Sequence, residues 1–84
     1  FLVRVDGHTD NTPVIKTRKV NIDNWFLSAR RAHAVLVELR KNGVAASRLY
    51  LCGFGPNRPI APNDPKRGNP KNRRVEILLV RPKK

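Results

Sequence analysis

Alternating or continuous apolar residues predict three strands along the chain. The first lies at Phe1–Val5 and the second at Arg48–Phe54, where every other side chain is apolar and would share one face. The third, Val75–Val80, is apolar at almost every position, a pattern typical of a strand covered on both faces. Because the first strand begins at residue 1, we expect a further element upstream of it to cover or pair with it.

A helical repeat predicts one long helix at Trp25–Lys41 between the first two strands. Its apolar stripe is made of Trp25, Ala29, Ala32, Leu36 and Leu39. Asp23 or Asn24 can cap its first turn, and Gly43 can supply a left-handed C-terminal cap. A strand, a crossover helix and another strand form a βαβ unit, so the first two strands are expected to be parallel.

Turn-forming and proline-rich segments connect these elements. Asp6–Pro13 contains turn formers and short polar side chains, and Pro13–Asp23 is expected to be a long ordered loop. Gly55–Pro65 holds four prolines in eleven residues, which indicates a rigid irregular segment. Arg81–Lys84 is expected to be a solvated tail.

Composition adds size and charge to this picture. With 84 residues, 39% of them hydrophobic, the chain is expected to form a single small globular domain. Eighteen lysines and arginines against six acidic residues give a net charge of +12. Such a surplus favours an anionic partner: nucleic acid, membrane headgroups, or a carboxylate-bearing polymer such as a bacterial cell wall.

Residues able to perform catalysis or to bind metal are few. His8 and Asp10 form a possible ligand pair, but no third ligand has suggestive spacing and His33 lies within the helix, so no metal site is expected. Cys52 is expected to be a packed, unreactive thiol. The sequence contains no nucleophile elbow, no phosphate-binding glycine loop and no pair of catalytic carboxylates. We therefore expect a non-enzymatic protein without a cofactor.

Four short motifs follow one another in a recognisable order: Gly7–Asp10, Asn24–Ala32, Gly53–Gly55 and Asn72–Glu76. Together they resemble the OmpA-like peptidoglycan-binding domain over essentially the whole chain. The resemblance implies an α/β two-layer sandwich, in which helices pack on one face of a mixed sheet. It also implies that residues 1–84 form one such domain, truncated at its N-terminus, with the first strand and helix of the family missing from this chain.

Within that family the chain looks most similar to the MotB-type flagellar stator branch. The resemblance lies in Asp10–Pro13, in the long segment through Lys16–Arg18 and in Pro59–Asp64. It implies a periplasmic domain of an inner-membrane protein, with peptidoglycan, a second copy of the chain and a channel-forming membrane subunit as partners. The alternative is an outer-membrane protein or lipoprotein that tethers the outer membrane to peptidoglycan.

The family resemblance also implies a site for the diaminopimelate residue of the peptidoglycan stem peptide. The loop aspartate of the family corresponds to Asp10, which would take the ammonium group, and the helix arginine to Arg31, which would take the carboxylate. Taken alone, Asp10 could equally form an Asx-turn, and Arg31 could lie on a solvated helix face. The secondary candidates are Thr9, Asn24, Leu27, Asn72 and Arg73.

Two rival functions remain open at this stage. A basic module could bind nucleic acid, although only Tyr50 and Phe54 among the aromatic residues share a predicted strand face. The resemblance favours peptidoglycan over nucleic acid. A scaffold whose basic surface contacts a protein partner is the third possibility.

Overall fold

A computed structural model describes residues 1–12 and 23–82 of the chain. These residues form a three-stranded mixed sheet with one long helix on one face. The elements are β1 (Leu2–His8), α1 (Asn24–Lys41), β2 (Leu49–Gly53) and β3 (Arg74–Val80). The strand order is β2-β1-β3, with β1 parallel to β2 and antiparallel to β3. This confirms the predicted mixed sheet and the parallel βαβ unit. Most of the predicted Pro13–Asp23 loop and the last two residues of the tail lie outside the described residues.

The central strand β1 extends three residues beyond its predicted end. Asp6 and His8 had been assigned to a loop because their neighbours are turn formers, but both belong to the strand. Asp6 pairs with Cys52 on β2 and with Glu76 on β3, so the strand continues on both sides. Pairing with a strand on each side therefore outweighs the local preference of this segment for a turn.

Helix α1 begins and ends with strong capping interactions. Asp23 is the N-cap, and its Oδ1 accepts a hydrogen bond of 2.8 Å from the backbone N–H of Phe26. At the other end Gly43 has a φ of 101° and its N–H donates to the carbonyl of Arg40, while Val44 N–H donates to the carbonyl of Leu39. This pair of bonds is a Schellman motif, which confirms the predicted glycine cap.

Small residues bring α1 very close to β1 and β2. A Cβ at Gly7 would overlap the carbonyl oxygen of Ser28 and lie 2.7 Å from its carbonyl carbon. A Cβ at Gly53 would lie 2.9 Å from the Cβ of Ala29. Ala32, further along the same face of the helix, is completely buried. The contact between helix and sheet therefore depends on residues with almost no side chain.

Strand β3 is less covered than its sequence predicts. Ile77 and Leu79 pair with β1 residues that face α1, yet they are 54% and 70% exposed. The expectation that this strand is covered on both faces is wrong for the described residues, because α1 lies mainly over β1 and β2. Trp25, predicted within the buried stripe of the helix, is also 56% exposed.

Among the described residues no helix is long and apolar enough to cross a membrane.

Candidate ligand-binding site

Several predicted site residues lie at one edge of the sheet, where β1 and β2 end and α1 begins. Just beyond β1, the N–H of Thr9 donates to the carbonyl of Gly55 over 3.0 Å. From the first turn of α1, the amide of Asn24 donates to the carbonyl of Thr12 over 3.2 Å. Ligands of open α/β sheets bind at the carboxyl ends of the strands, so this edge is the natural place for a site.

Asp10 lies at the centre of this edge and is deeply buried, with 2% of its surface exposed. Its Oδ1 accepts a 3.0 Å hydrogen bond from the N–H of Thr12, which is an Asx-turn. Its Oδ2 lies 3.3 Å from Nε of Arg73 but accepts no hydrogen bond from residues 1–12 or 23–82. A Cβ at Gly68 would lie 2.5 Å from this Oδ2, so only glycine lets the neighbouring loop lie over the carboxylate.

The carboxyl group of Asp10 is held in its charged form. Burial alone would raise its pKa, but the nearby backbone and side chain of Thr12, the charge of Arg73 and the backbone of Asn69 together keep the pKa below its ordinary value. At neutral pH the site therefore contains a buried, ionised carboxylate. Such a group is suited to bind a cation.

Arg31 lies on the same face of α1 as Asn24, seven residues and therefore about two turns further along. It is half-buried, whereas its neighbour Arg30 is exposed, which agrees with the expected position beside the buried stripe. Helical side chains lean towards the N-terminus, so the guanidinium can extend back towards the strand ends. Leu27, also half-buried, lies one turn before Arg31 on the adjoining part of this face.

Asn72 has a structural position. It is completely buried, and its Oδ1 accepts hydrogen bonds from the N–H groups of Ile60 and Ala61. Its Nδ2 donates to the carbonyl of Ala61 and to Oδ1 of Asn63. Because all four hydrogen-bonding positions of the amide are used within the chain, the side chain has none left for a ligand. Asn72, expected to contact ligand, instead anchors the proline-rich segment.

The loop over Asp10 was not recognised from the sequence. Asp64 and Gly68 exchange two backbone hydrogen bonds, and Oδ1 of Asp64 accepts from the N–H groups of Lys66 and Arg67. These bonds lower the pKa of Asp64. The Asp-Pro-x-x-Gly order was a signal for this tight turn, but its contact with Asp10 spans the chain and has no local signature.

The opposite face of the sheet holds a second polar cluster, formed by Asp6, His8 and Glu76, whose potential ligand atoms lie within 4.8 Å of one another. No residue at suggestive spacing in the sequence offers a third ligand beside His8 and Asp10, whereas the fold brings the carboxylates of Asp6 and Glu76 close to His8. However, Arg4 donates two hydrogen bonds to Asp6, and Arg74 is ion-paired with Glu76. A divalent cation would have to compete with two guanidinium groups, so this donor set fits a metal ion poorly.

His8 itself is buried, and neither of its ring nitrogens has a hydrogen-bond partner among the residues that the structure describes. Its ring stacks on Phe54 with centroids 5.1 Å apart, and the guanidinium of Arg58 lies 4.5 Å from the Phe54 centroid. Burial, and then the charge of Arg74, lower the pKa of His8. Cys52, on the same face of the sheet, is a half-buried free thiol.

Comparison with known proteins places the chain in a family. Residues 2–73 match the model of the OmpA family. The chain is 41% identical over 77 residues to Motility protein B of Helicobacter pylori and 38% identical over 77 residues to an outer membrane protein of Gluconacetobacter diazotrophicus. It is 42% identical over 77 residues to the peptidoglycan-binding protein ArfA of Mycobacterium bovis. Each match covers 92% of this chain but only 29%, 20% and 22% of the respective relative.

Solved structures agree with this assignment. The C-terminal domain of Helicobacter pylori MotB superposes with a TM-score of 0.80 at 40% identity, covering 92% of this chain and 57% of that one. The chain therefore belongs to the OmpA family. Its mixed sheet and helix match the fold of the MotB C-terminal domain.

Proposed function

We propose that this chain binds peptidoglycan without catalysis, through the diaminopimelate residue of the stem peptide. The observation that carries the proposal is the buried, ionised Asp10 at the strand ends, beside the α1 face that bears Asn24 and Arg31. One relative is named as a peptidoglycan-binding protein, which supports the same ligand class. Cell-wall carboxylates also account for a net charge of +12 without any nucleic acid.

In this proposal each end of the diaminopimelate side chain has its own receptor. The ammonium group binds Oδ2 of Asp10, the carboxylate oxygen that accepts no hydrogen bond within the described part of the chain, and takes the place of Arg73 there. The carboxylate is bound by the guanidinium of Arg31 and by Arg73 once it is displaced. Thr9 and Thr12 fix the loop that carries Asp10, and Leu27 contributes an apolar wall.

Co-sedimentation with purified peptidoglycan sacculi in about 0.3 M salt tests this function, because a Debye length of roughly 5–6 Å suppresses loose charge attraction. Native chain is expected to bind, and Arg31→Ala is expected to weaken binding at least tenfold, or about 1.4 kcal/mol. Asp10→Asn should do the same. Arg30→Ala is the matched control: it removes one positive charge from the exposed neighbouring position and should change binding less than twofold.

The rival nucleic-acid function predicts a different result. Binding that disappears with salt, or that falls equally in Arg30→Ala and Arg31→Ala, would show that only net charge matters. Within residues 1–12 and 23–82, three arginines are already ion-paired with carboxylates, namely Arg4, Arg73 and Arg74, which reduces the free positive surface. This favours the stereospecific site over a general polyanion surface.

We further propose that the chain anchors a flagellar stator to the cell wall, as a homodimer joined to a channel-forming membrane subunit, in the periplasm. The structural similarity to MotB and the identity to Motility protein B support this assignment. The alternative, a tether between outer membrane and peptidoglycan, is supported by the outer membrane relative. Deleting the gene in its host distinguishes them: loss of swimming with intact filaments supports the stator, and leakage of periplasmic proteins supports the tether.

A further inference from the structure

The turn at residues 64–68 lies closed over the carboxylate of Asp10. Oδ2 of Asp10 is buried and accepts no hydrogen bond within the described part of the chain. A Cβ at Gly68 would lie 2.5 Å from this oxygen and 2.6 Å from Oγ1 of Thr12, so no ligand atom fits between the glycine and the carboxylate. An ammonium group binds a carboxylate oxygen at about 2.7–2.9 Å. The closed turn therefore keeps an ammonium group away from Oδ2.

The closed arrangement satisfies the charge of Asp10 incompletely. Oδ1 accepts a 3.0 Å hydrogen bond from the N–H of Thr12, whereas Oδ2 lies 3.3 Å from Nε of Arg73, a side chain that is 43% exposed. A buried charge that lacks hydrogen bonds costs free energy, and contact with water removes that cost. Opening of the turn is therefore opposed by a half-exposed ion pair and favoured by hydration of the carboxylate.

Residues 64–68 form a self-contained unit. Asp64 and Gly68 exchange backbone hydrogen bonds of 3.1 and 2.9 Å, and Oδ1 of Asp64 accepts from the N–H groups of Lys66 and Arg67. All of these bonds lie within the turn. Among the described residues no hydrogen bond joins residues 64–68 to residues 9–12. The turn can therefore lift away from Asp10 without losing a hydrogen bond of its own.

The chain on either side of the turn is fixed. Oδ1 of Asn63 accepts a 2.8 Å hydrogen bond from Nδ2 of the fully buried Asn72. Nδ2 of Asn69 donates to the carbonyl of Pro62 over 2.9 Å. Because both flanking residues are anchored, a movement of the turn has its hinges at the junctions 63–64 and 68–69.

We propose that residues 64–68 form a lid, which must lift before a ligand can reach Oδ2 of Asp10. In the open state Arg73 leaves Asp10, and the ammonium group of the ligand takes its place. The apparent affinity is then reduced by the fraction of the chain that is open, and the rate of opening limits the rate of binding. The part of this inference that concerns the ligand rests on the proposed peptidoglycan function, whereas the movement of the lid can be tested without ligand.

Carboxyl labelling tests the movement of the lid in the free chain. A water-soluble carbodiimide with an added amine modifies the carboxyl groups that solvent reaches, and mass spectrometry locates each label. Asp6 is the internal reference, because it is as buried as Asp10, each being 2% exposed, but lies on the opposite face of the sheet. Unfolding of the whole chain exposes both residues, whereas opening of the lid exposes Asp10 alone.

Gly68→Ala is the main variant, because its Cβ would overlap Oδ2 of Asp10 and hold the lid open. Labelling of Asp10 should be about threefold faster or more than in the native chain, while labelling of Asp6 stays within about twofold. Gly43→Ala is the matched control: it places alanine at another positive φ, 101°, where its Cβ meets no described atom within 4 Å, and should leave both rates unchanged.

Pro65→Gly is a second variant, which loosens the turn without adding an atom near Asp10. It should give a smaller increase in the labelling of Asp10 and none at Asp6.

Stopped-flow mixing with a fluorescently labelled stem peptide, followed by anisotropy, tests the role of the lid in binding. In the native chain the observed rate should reach a plateau as the peptide concentration rises, because opening of the lid becomes limiting. In Gly68→Ala the rate should continue to rise with concentration, since the lid is already open.

The two experiments separate the possible failures. Unchanged labelling of Asp10 in both Gly68→Ala and Pro65→Gly would overturn the lid, and so would a binding rate without a plateau in the native chain. If Gly68→Ala raised the labelling of Asp6 and Asp10 equally, that variant would be unfolded, and Pro65→Gly would decide. If the native chain bound no stem peptide but showed the expected labelling, the proposed function would be rejected and the movement of the lid would stand.

Discussion

The two faces of the sheet are built from the same three strands but are stabilised differently. Towards α1, Gly7 and Gly53 let the helix approach until backbone atoms touch. On the other face, buried Asp6 is paired with Arg4 and buried His8 is stacked on Phe54. The first face depends on the absence of side chains, whereas the second depends on an ion pair and on the stacking of two aromatic rings.

The difference determines how each face should respond to substitution. Where packing is tight, one added methyl group cannot be accommodated, because neither the helix backbone nor the central strand can move alone. Where polar groups are paired, the effect of a change depends on protonation.

The largest effect is expected from Gly7→Ala, because its Cβ would overlap the carbonyl oxygen of Ser28. We expect a loss of more than about 3 kcal/mol in the free energy of unfolding, measured by urea denaturation. Gly43→Ala is the control: its Cβ would meet no described atom within 4 Å, and only the φ of 101° opposes it, at a cost of about 1–3 kcal/mol. Equal losses in the two variants would contradict tight packing at Gly7.

A smaller, pH-dependent effect is expected on the polar face from His8. Its pKa lies below the ordinary 6.5 because of burial and then the charge of Arg74, with Arg58 adding to this and Glu76 and Asp6 opposing it. Between the two pKa values the unfolded chain binds a proton that the folded chain does not. The free energy of unfolding should therefore fall as pH decreases through 6.5.

Denaturant unfolding of His8→Gln between pH 7.5 and about 5 measures this contribution, since the substitution removes the titrating group. In the variant, the free energy of unfolding should no longer show the part of its pH dependence that lies near the ordinary histidine pKa. A native slope in His8→Gln would contradict the prediction.

The smallest effect is expected where β3 extends beyond the helix. Leu79→Thr should change the free energy of unfolding by about 0.5 kcal/mol or less, because Leu79 is 70% exposed and threonine suits a strand. Val5→Thr places the same residue in the fully buried centre of the sheet and should cost about 1–3 kcal/mol, since the hydroxyl has no partner there. Similar costs at the two positions would mean that β3 is covered after all.

Local pattern was sufficient to predict α1, its caps, β2 and the parallel arrangement of β1 and β2. It failed for the end of β1, because Asp6, Gly7 and His8 resemble a turn until the strands on both sides are known. It also failed for β3, where an apolar run indicated coverage that α1 does not provide. Strand pairing and coverage are tertiary properties, so short-range periodicity does not contain them.

The candidate site is a prediction from the family motifs rather than from local chemistry, and its ligand contacts remain a proposal. Asp10 and Arg73 are candidates from the family pattern. Their side chains lie 3.3 Å apart, yet the two residues are too far apart in the sequence for any local pattern to show the contact. Gly68 was missed for the same reason, since its importance comes from lying over the Asp10 carboxylate. Asn72 was misassigned because an asparagine that binds backbone and one that binds ligand look identical in sequence.

The position of β1 in the sheet has a consequence for how the chain folds. It is the central strand of the described sheet, and its partners come much later in the sequence: Leu2 pairs with Val80 and Val3 with Leu49. Pairing β1 with β3 therefore closes a long loop of chain, and the entropy of closing such a loop slows folding. We expect refolding of these 84 residues in milliseconds to seconds rather than microseconds.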